Sequence, residues 1–452
     1  MKKMKHDVPI RLVKVLILIL MMVAFGFVWY GYYAARAQVH YYRRGDWVVI
    51  LLFGILYYGF CRSYDAFHIS ISPISEIIYS QTLALIISDF IMYVVIWLLS
   101  LYMPNAVPLL ITFGVQFLIS VLWTFLAHQW YFHNFRPGRT AVIYDLREGM
   151  ESLVGEYGME KKFHIEKVLG VEECLAKLSV LDEMDTVFLS GIHSHERNII
   201  LKYCMYQDIQ VYVIPRIGDV IMGGAKKVHM FHLPMLRIDR YRPIPEYTIA
   251  KRAFDILFSG IAIVIASPFM LVTAIAIKSD GGPALYKQKR LTKDGKEFNV
   301  LKFRSMRVDA EKDGVARLST GDKDDRITPV GKVIRKIRFD ELPQLFNILR
   351  GDMSIVGPRP ERPEIARQYE EEMPEFRLRL QAKAGLTGYA QVYGKYNTTP
   401  YDKLLMDLTY IGTPSLWEDF KICLATVKIL FMPESTEGVA EGATTAMGGE
   451  KH

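Results

Sequence analysis

The sequence predicts a membrane α-helical and α/β protein: a four-span helical bundle, a Rossmann-like parallel α/β domain, then a third domain built on another long apolar helix and amphipathic helices. Long apolar runs crowd the first third, and short β-type runs alternate with helical patterns in the middle. A further apolar run follows, with clustered Arg, Gly and Pro after it. At 452 residues the chain has length for roughly three domains with cores of their own. A net charge of +7 fits anionic headgroups or phosphorylated substrates and decides nothing alone. Cys61, Cys174, Cys204 and Cys423 lack the paired spacing of a zinc site or disulfide framework, so they read as reduced packing residues. Basic runs such as Lys287 to Arg290 come without a reading motif, and nucleic-acid binding is discounted.

Residues 1–135 form the expected transmembrane domain. Its apolar runs, about Leu12–Tyr33, Trp47–Phe60, Ile78–Tyr102 and Pro108–Trp130, compare with the roughly 20 residues a spanning helix needs, the second being short. Trp29 to Tyr33 is a poor cleavage region, so the first run is read as an anchor rather than a signal peptide. Four spans return the chain to its starting side. The amino-terminal lysines with Arg136 and Arg139 favour the cytoplasm for that side, while Arg36, Arg43 and Arg44 pull the other way. Asp89 inside the third span is either hydrogen-bonded near Gln81 or Gln116, the ordinary case, or part of an ion or proton path.

Residues 136–245 form the expected α/β domain. Strand-like runs at Ala141–Tyr144, Lys167–Gly170, Thr186–Ser190 and Ile209–Ile214 alternate with helical patterns at Glu172–Leu181 and His195–Tyr206. After the first strand comes Asp145-Leu146-Arg147-Glu148-Gly149, without the glycine-rich turn of a dinucleotide site. This domain is read as regulating, dimerising or bracing the remainder, and a homodimer is a candidate assembly.

Residues 246–433 open with the apolar run Ala253–Ile277, which carries Ser267-Pro268 at its middle. Proline removes a helix donor and clashes with the preceding turn, so a kink or break is expected there. A kinked spanning helix and a re-entrant helix-break-helix are both consistent with those residues. The last segment, 434–452, is rich in Gly, Ala, Thr and Glu and is expected to be a disordered tail.

The stretch Thr328–Pro360 carries the chemistry. Thr328-Pro329 resembles a capped helix start, with Arg335 and Arg338 towards the far end of that helix. A second helix is expected from Asp340-Glu341-Leu342-Pro343, on the spacing of Leu342, Leu345, Phe346 and Leu349. Backbone donors at its start would keep Asp340 ionised and help hold a phosphate, and an ionised aspartate can attack phosphorus. An acidic helix cap is the ordinary explanation of an isolated Asp-Glu pair. Here, however, cations bracket the pair: Lys302 and Arg304 in Lys302-Phe303-Arg304-Ser305-Met306 upstream, and Arg359 in the Gly357-Pro358-Arg359-Pro360 turn downstream. Arg304 and Arg338 are added to the phosphate-binding set on charge and proximity alone. A hard carboxylate such as Glu341 suits a divalent metal, with magnesium the expected ion.

Lys251-Arg252-Ala253-Phe254-Asp255, KFRSM at 302–306, DELPQLFNILRGDMSIVGPRP at 340–360 and GLTGYAQVYG at 385–394 occur in that order. This pattern resembles the polyprenyl-phosphate hexose-1-phosphate transferase family of bacterial envelope glycan assembly, over about Tyr247–Phe431. The four preceding spans and α/β domain resemble its larger members, which start capsule or exopolysaccharide synthesis. The resemblance implies a multi-pass bacterial inner-membrane enzyme with a UDP-sugar (glucose or galactose) and undecaprenyl phosphate as substrates. It implies that Asp340 attacks the sugar-bearing phosphate and UMP leaves, and that undecaprenyl phosphate then takes the phosphosugar. Glu341 would hold Mg2+, and Lys302, Arg335 and Arg359 would contact phosphates. Ser267-Pro268 would break a re-entrant helix, 253–277, that keeps the catalytic part cytoplasmic. Asp407 and Tyr410 fall where that family has an Asp-x-x-Tyr near the active site, with different flanking residues. An inverting membrane glycosyltransferase releasing UDP, and a non-catalytic scaffold of a polysaccharide assembly complex, are the alternatives.

Overall fold

The structure is a computed structural model that describes residues 4–36, 44–100, 102–279, 281–307, 326–394 and 398–430; the tail expected at 434–452 lies outside them. The chain divides into two compact units, Met1–Ile214 and Pro215–His452.

In the first unit, α1 (Met4–Val28), α2 (Arg44–Ser63), α3 (Ile74–Leu99) and α4 (Val107–Asn134) pack as a four-helix ring. All four lie in stretches long and apolar enough to cross a membrane. Apolar side chains cover the outside of the bundle as well as filling its inside, where Phe25, Phe53, Leu85 and Met92 are buried. Large apolar side chains such as Phe27, Phe90, Leu98 and Leu118 face outward, while Gln81, Gln116, Ser120 and Thr124 are buried between helices. Ser120 Oγ donates to Gln81 Oε1 at 2.5 Å. The two carboxylate oxygens of Asp89 are buried without a hydrogen-bond partner among the described residues. The expected bond to Gln81 or Gln116 is therefore not made.

Strands β1 (Gly138–Tyr144), β2 (Phe163–Gly170), β3 (Thr186–Ser190) and β4 (Gln210–Val213) form a parallel sheet in the order β2-β1-β3-β4. Helices α5 (Met150–Glu156), α6 (Val171–Ala176) and α7 (Ser194–Tyr206) alternate with them. Because side chains alternate faces, Ala141, Ile143, Val187 and Leu189 pack with Cys174 and Cys204, while Val142 and Phe188 pack with Val154 and Phe163. The cysteines are free packing residues, as expected. Gly191 sits at φ +68°, and a Cβ there would lie 2.7 Å from the Arg147 backbone nitrogen. The loops leaving β1 and β3 thus touch at the position where a doubly wound sheet would admit a nucleotide.

The second unit begins with α8 (Ile217–Gly223) and the antiparallel hairpin of β5 (Lys226–Met230) and β6 (Leu233–Arg237). Ile217 and Val220 join the apolar cluster around Leu404, Leu408 and Ile411, so residues 215–237 belong with this unit and not with the α/β sheet.

Helix α9 (Pro245–Lys278) follows, then the antiparallel pair β7 (Leu285–Leu291) and β8 (Glu297–Phe303), α10 (Pro329–Lys336) and α11 (Gln344–Arg350). Short β9 (Ser354–Val356), α12 (Pro363–Glu372), β10 (Gly385–Thr387), α13 (Tyr389–Tyr393), α14 (Pro400–Gly412) and α15 (Leu416–Leu430) complete it. The helix does not break at Ser267-Pro268: α9 runs through as one element with Pro268 inside it, and Ser267 Oγ donates to Val264 O at 2.8 Å. Backbone freed by a proline can be satisfied locally in this way.

Candidate active site

Thr328 caps α10 as its sequence suggests, its hydroxyl accepting from Gly331 N at 2.9 Å. Arg335 lies in the last turn of α10. Arg338 then adopts a left-handed conformation, φ 55°, which is costly for a side chain of its size and reverses the chain into a 3-10 turn, Phe339–Glu341. Asp340 and Glu341 sit in that turn, ahead of α11, so the second helix starts one turn later than its apolar spacing suggests.

Two devices hold this turn against β8. Asn347 of α11, fully buried, accepts from Leu301 N and donates to Asn299 O, both at 2.9 Å, filling the open edge of β8. Arg252 of α9 donates to Ile348 O and Leu349 O at 2.6 and 2.7 Å, closing the carbonyl end of α11. Lys302, on β8, is thereby brought to the acidic pair, with Nζ 2.9 Å from Glu341 Oε1. Arg338 Nη1 lies 3.8 Å from Glu341 Oε2, and Arg359 Nη2 lies 4.0 Å from Oε1.

The two carboxylates are driven apart. Burial would raise Glu341, yet Lys302, Arg359 and Arg338 hold it well below the usual carboxylate range. Asp340 is pushed up, first by burial and then by the charge of Glu341, with Lys302, Arg335 and Arg338 offsetting part of the rise. The pair thus holds a firmly anionic Glu341 beside a more basic Asp340. Arg335 Nη1 is buried without a hydrogen-bond partner among the described residues.

Among the described residues, no group of three or more His, Cys, Asp or Glu side chains forms a ready cation cage. Magnesium commonly binds through one or two carboxylates and substrate phosphates, and Glu341 offers a carboxylate of that kind, with Lys302 Nζ at 2.9 Å from its Oε1.

Lys302, Arg335, Arg338, Arg359, Asp340 and Glu341 thus form one interacting set. Three other sequence-selected residues lie outside it. Arg304 is 7% exposed, and its guanidinium donates to Pro283 O, Met306 O and Ile277 O. Asp407, 1% exposed, pairs with Arg379 at 2.7 Å. Tyr410, also buried, donates to Asp419 Oδ1 at 2.7 Å and approaches Val356 O at 3.3 Å. Both stand behind the Arg359 loop, held there by the apolar packing of α14.

The sequence reading missed Asn347, Arg379 and Asp419. It quoted Lys251, Arg252 and Asp255 without roles. Lys251 Nζ pairs with Asp419 at 2.9 Å, and Asp255 Oδ1 accepts from Ser354 Oγ and Ile355 N. Charged residues preceding an apolar helix were the available signal for the latter three.

Residues 246–433 match the family model described as bacterial sugar transferase. The chain is 40% identical over 201 residues to the UDP-glucose:undecaprenyl-phosphate glucose-1-phosphate transferase of Caulobacter vibrioides, covering 43% of this chain and 74% of the relative. It is 40% identical over 234 residues to the UDP-N-acetylgalactosamine-undecaprenyl-phosphate N-acetylgalactosaminephosphotransferase of Aeromonas hydrophila, covering 51% and 54%. Its identity to the undecaprenyl-phosphate galactose phosphotransferase of Salmonella typhimurium is 38% over 236 residues, covering 49% of each. The chain therefore spans about half the length of the latter two.

Proposed function

Because the chain belongs to the bacterial sugar transferase family, we propose that it transfers a hexose-1-phosphate from a UDP-sugar to undecaprenyl phosphate and releases UMP. The observation that carries this reading is the split carboxylate pair, Asp340 raised and Glu341 lowered, ringed by four cations of which Arg335 keeps a buried donor with no partner among the described residues.

In the proposed reaction an Asp340 carboxylate oxygen attacks the sugar-bearing phosphorus. The bond from that phosphorus to the bridging oxygen breaks, and UMP departs with the oxygen and its electron pair. A phosphate oxygen of undecaprenyl phosphate then attacks the same phosphorus and returns Asp340 as free carboxylate. Lys302, Arg335, Arg338 and Arg359 neutralise phosphate charge as it moves to the leaving group. Glu341 is the proposed magnesium ligand, and the bound ion would improve the leaving group by neutralising diphosphate charge. The relatives' names include glucose, galactose and N-acetylgalactosamine donors, so the proposal commits to their shared part, a UDP-linked hexose.

The site is proposed to face the cytoplasm of a bacterial inner membrane, with α9 re-entrant by a bend at Pro268 rather than by a break in the helix. A straight 34-residue helix is about 50 Å long against a hydrocarbon core of about 30 Å. Yet α9 contacts the folded unit repeatedly: Arg252 at α11, Ala262 and Ile263 beside Leu345, Phe269 beside Phe339, and Ile277 against Phe303. A spanning α9 would draw those partners into lipid. Its opposite face exposes Ile261, Val264, Ile265, Val272 and Ile275, apolar surface suited to hydrocarbon.

Purified protein supplied with magnesium, undecaprenyl phosphate and a panel of UDP-sugars tests the reading. Donor-selective UMP release is expected. UDP release would establish ordinary glycosyl transfer, and no nucleotide release from any donor would favour the scaffold alternative.

A further inference from the structure

The loop that presents Arg359 is fixed to an unusual degree. Gly357 N donates to Thr387 O at 2.9 Å, and Gly385 N donates to Pro358 O at 2.9 Å. A Cβ on Gly357 would lie 2.2 Å from Lys383 O, so only glycine permits these two backbones to meet. Beyond that crossing, the next three carbonyls are also taken. Arg359 O accepts from Arg379 Nη2 at 2.9 Å, Pro360 O from Arg290 Nη1 at 3.0 Å, and Glu361 O from Leu291 N at 2.9 Å. Prolines on both sides of Arg359 restrict φ and supply no N–H of their own.

Two of these contacts come from side chains. Arg379 is 4% exposed and serves several acceptors at once: Nε and Nη2 reach Asp407 Oδ2 at 2.9 and 2.7 Å, Nη1 lies 3.6 Å from Glu361 Oε1, and Nη2 also reaches Arg359 O. Its guanidinium lies over the Phe376 ring at 4.8 Å. Arg290, 18% exposed, lies 3.9 Å from Glu361 Oε2 and is oriented by Gln288 Oε1 at 2.7 Å. Asp407 and Glu361 thus orient two arginines whose remaining donors clamp the carbonyls of residues 359 and 360. Arg359 itself stays 45% exposed, with its guanidinium towards Glu341.

We propose that Arg379 and Arg290, oriented by Asp407 and Glu361, are positioning residues that hold the Arg359 loop so that its guanidinium meets the phosphate. Neither touches the acidic pair. The inference rests on the proposed phosphate contact of Arg359, and gives Asp407 a role behind the site rather than in it. A buried ion pair is a weak source of net stability, whereas a rigid supporting shell is what a phosphate clamp requires.

A double-mutant cycle on UMP release tests it, with thermal unfolding measured in parallel. Arg379→Lys keeps the charge facing Asp407, but one ammonium cannot reproduce the fork that also reaches Arg359 O. We expect kcat/KM to fall about 100-fold, the loss typical of a misplacement near 1 Å, and to fall less than threefold when Arg359 is already alanine. Arg379→Met combined with Asp407→Leu removes both charges together, which buried pairs often tolerate. This variant should fold and show the same dependence on Arg359. Losses that multiply with Arg359→Ala, or full activity in either variant, overturn the positioning role. Full activity of Arg359→Ala alone would instead overturn the phosphate contact on which the inference rests.

Discussion

Replacing Lys302 by methionine preserves side-chain length and deletes one charge from the ring around the acidic pair. Lys302 Nζ lies 2.9 Å from Glu341 Oε1, with the side chains 23% and 15% exposed. At an effective dielectric near 20, unit charges about 4 Å apart attract by about 4 kcal/mol, and removing one partner of a buried pair costs about 3–5 kcal/mol. Arg338 and Arg359 remain at 3.8 and 4.0 Å, so the loss should fall at the lower end, about 3 kcal/mol. Glu341 is held below its unfolded value of about 4.3, so this stabilisation is present at neutral pH and lost as pH falls through the lowered pKa. Lys302 also lowers Asp340, and its removal lets Asp340 rise further. Because Asp340 must be ionised to act as the proposed nucleophile, the acid limb of activity should move to higher pH. Initial rates of UMP release across roughly pH 5 to 9, with unfolding at neutral pH, read both effects. Lys302→Arg should restore much of each. An unmoved or lowered acid limb would refute the electrostatic reasoning.

Glu341→Gln should weaken the magnesium dependence of the rate, and an unchanged metal titration counts against its role as ligand. The same change frees Asp340 from a neighbouring negative charge, so the acid limb should move to lower pH, opposite to Lys302→Met. Arg304→Gln should lower the unfolding temperature while leaving KM for the donor within about twofold, since it strips donors from three backbone carbonyls and no ligand; a large KM change would restore it to the binding set. Cysteines placed at Ile249 and Lys278 should both react with an impermeant thiol reagent from the cytoplasmic side. Reaction of one from each side would make α9 a spanning helix.

The architecture was legible wherever one physical rule dominated. Apolar length located the four amino-terminal helices, and β1 to β4 fall where period and β-branched residues place them. Thr328-Pro329 announced a cap that the structure contains. Of the kink or break expected at Ser267-Pro268, a break is absent, because a helix donor lost to proline is tolerated within one continuous element when Ser267 supplies a local bond. The start of α11 was displaced for a related reason: apolar spacing continues through Leu342, while Arg338 in its left-handed conformation makes Asp340 and Glu341 part of a tighter turn.

Within the site, charge and proximity in sequence selected Lys302 and Arg304 alike. Strand alternation would put residues 302 and 304 on one face, but β8 ends at Phe303: Lys302 meets Glu341, while Arg304, past the strand, turns back to the end of α9. Asp407 was reached only through the Asp-x-x-Tyr resemblance, and its partner Arg379 was beyond reach, since a charge buried opposite its partner 28 positions away looks in sequence like any solvated one.

The account turns on Asp340 as the covalent nucleophile. Incubating the protein with its preferred UDP-sugar and magnesium, without undecaprenyl phosphate, and then mapping peptides by mass spectrometry tests this directly. The account predicts one hexose-phosphate adduct on the peptide containing Asp340, absent from Asp340→Asn and discharged by undecaprenyl phosphate. UMP release at the wild-type rate by Asp340→Asn would contradict it.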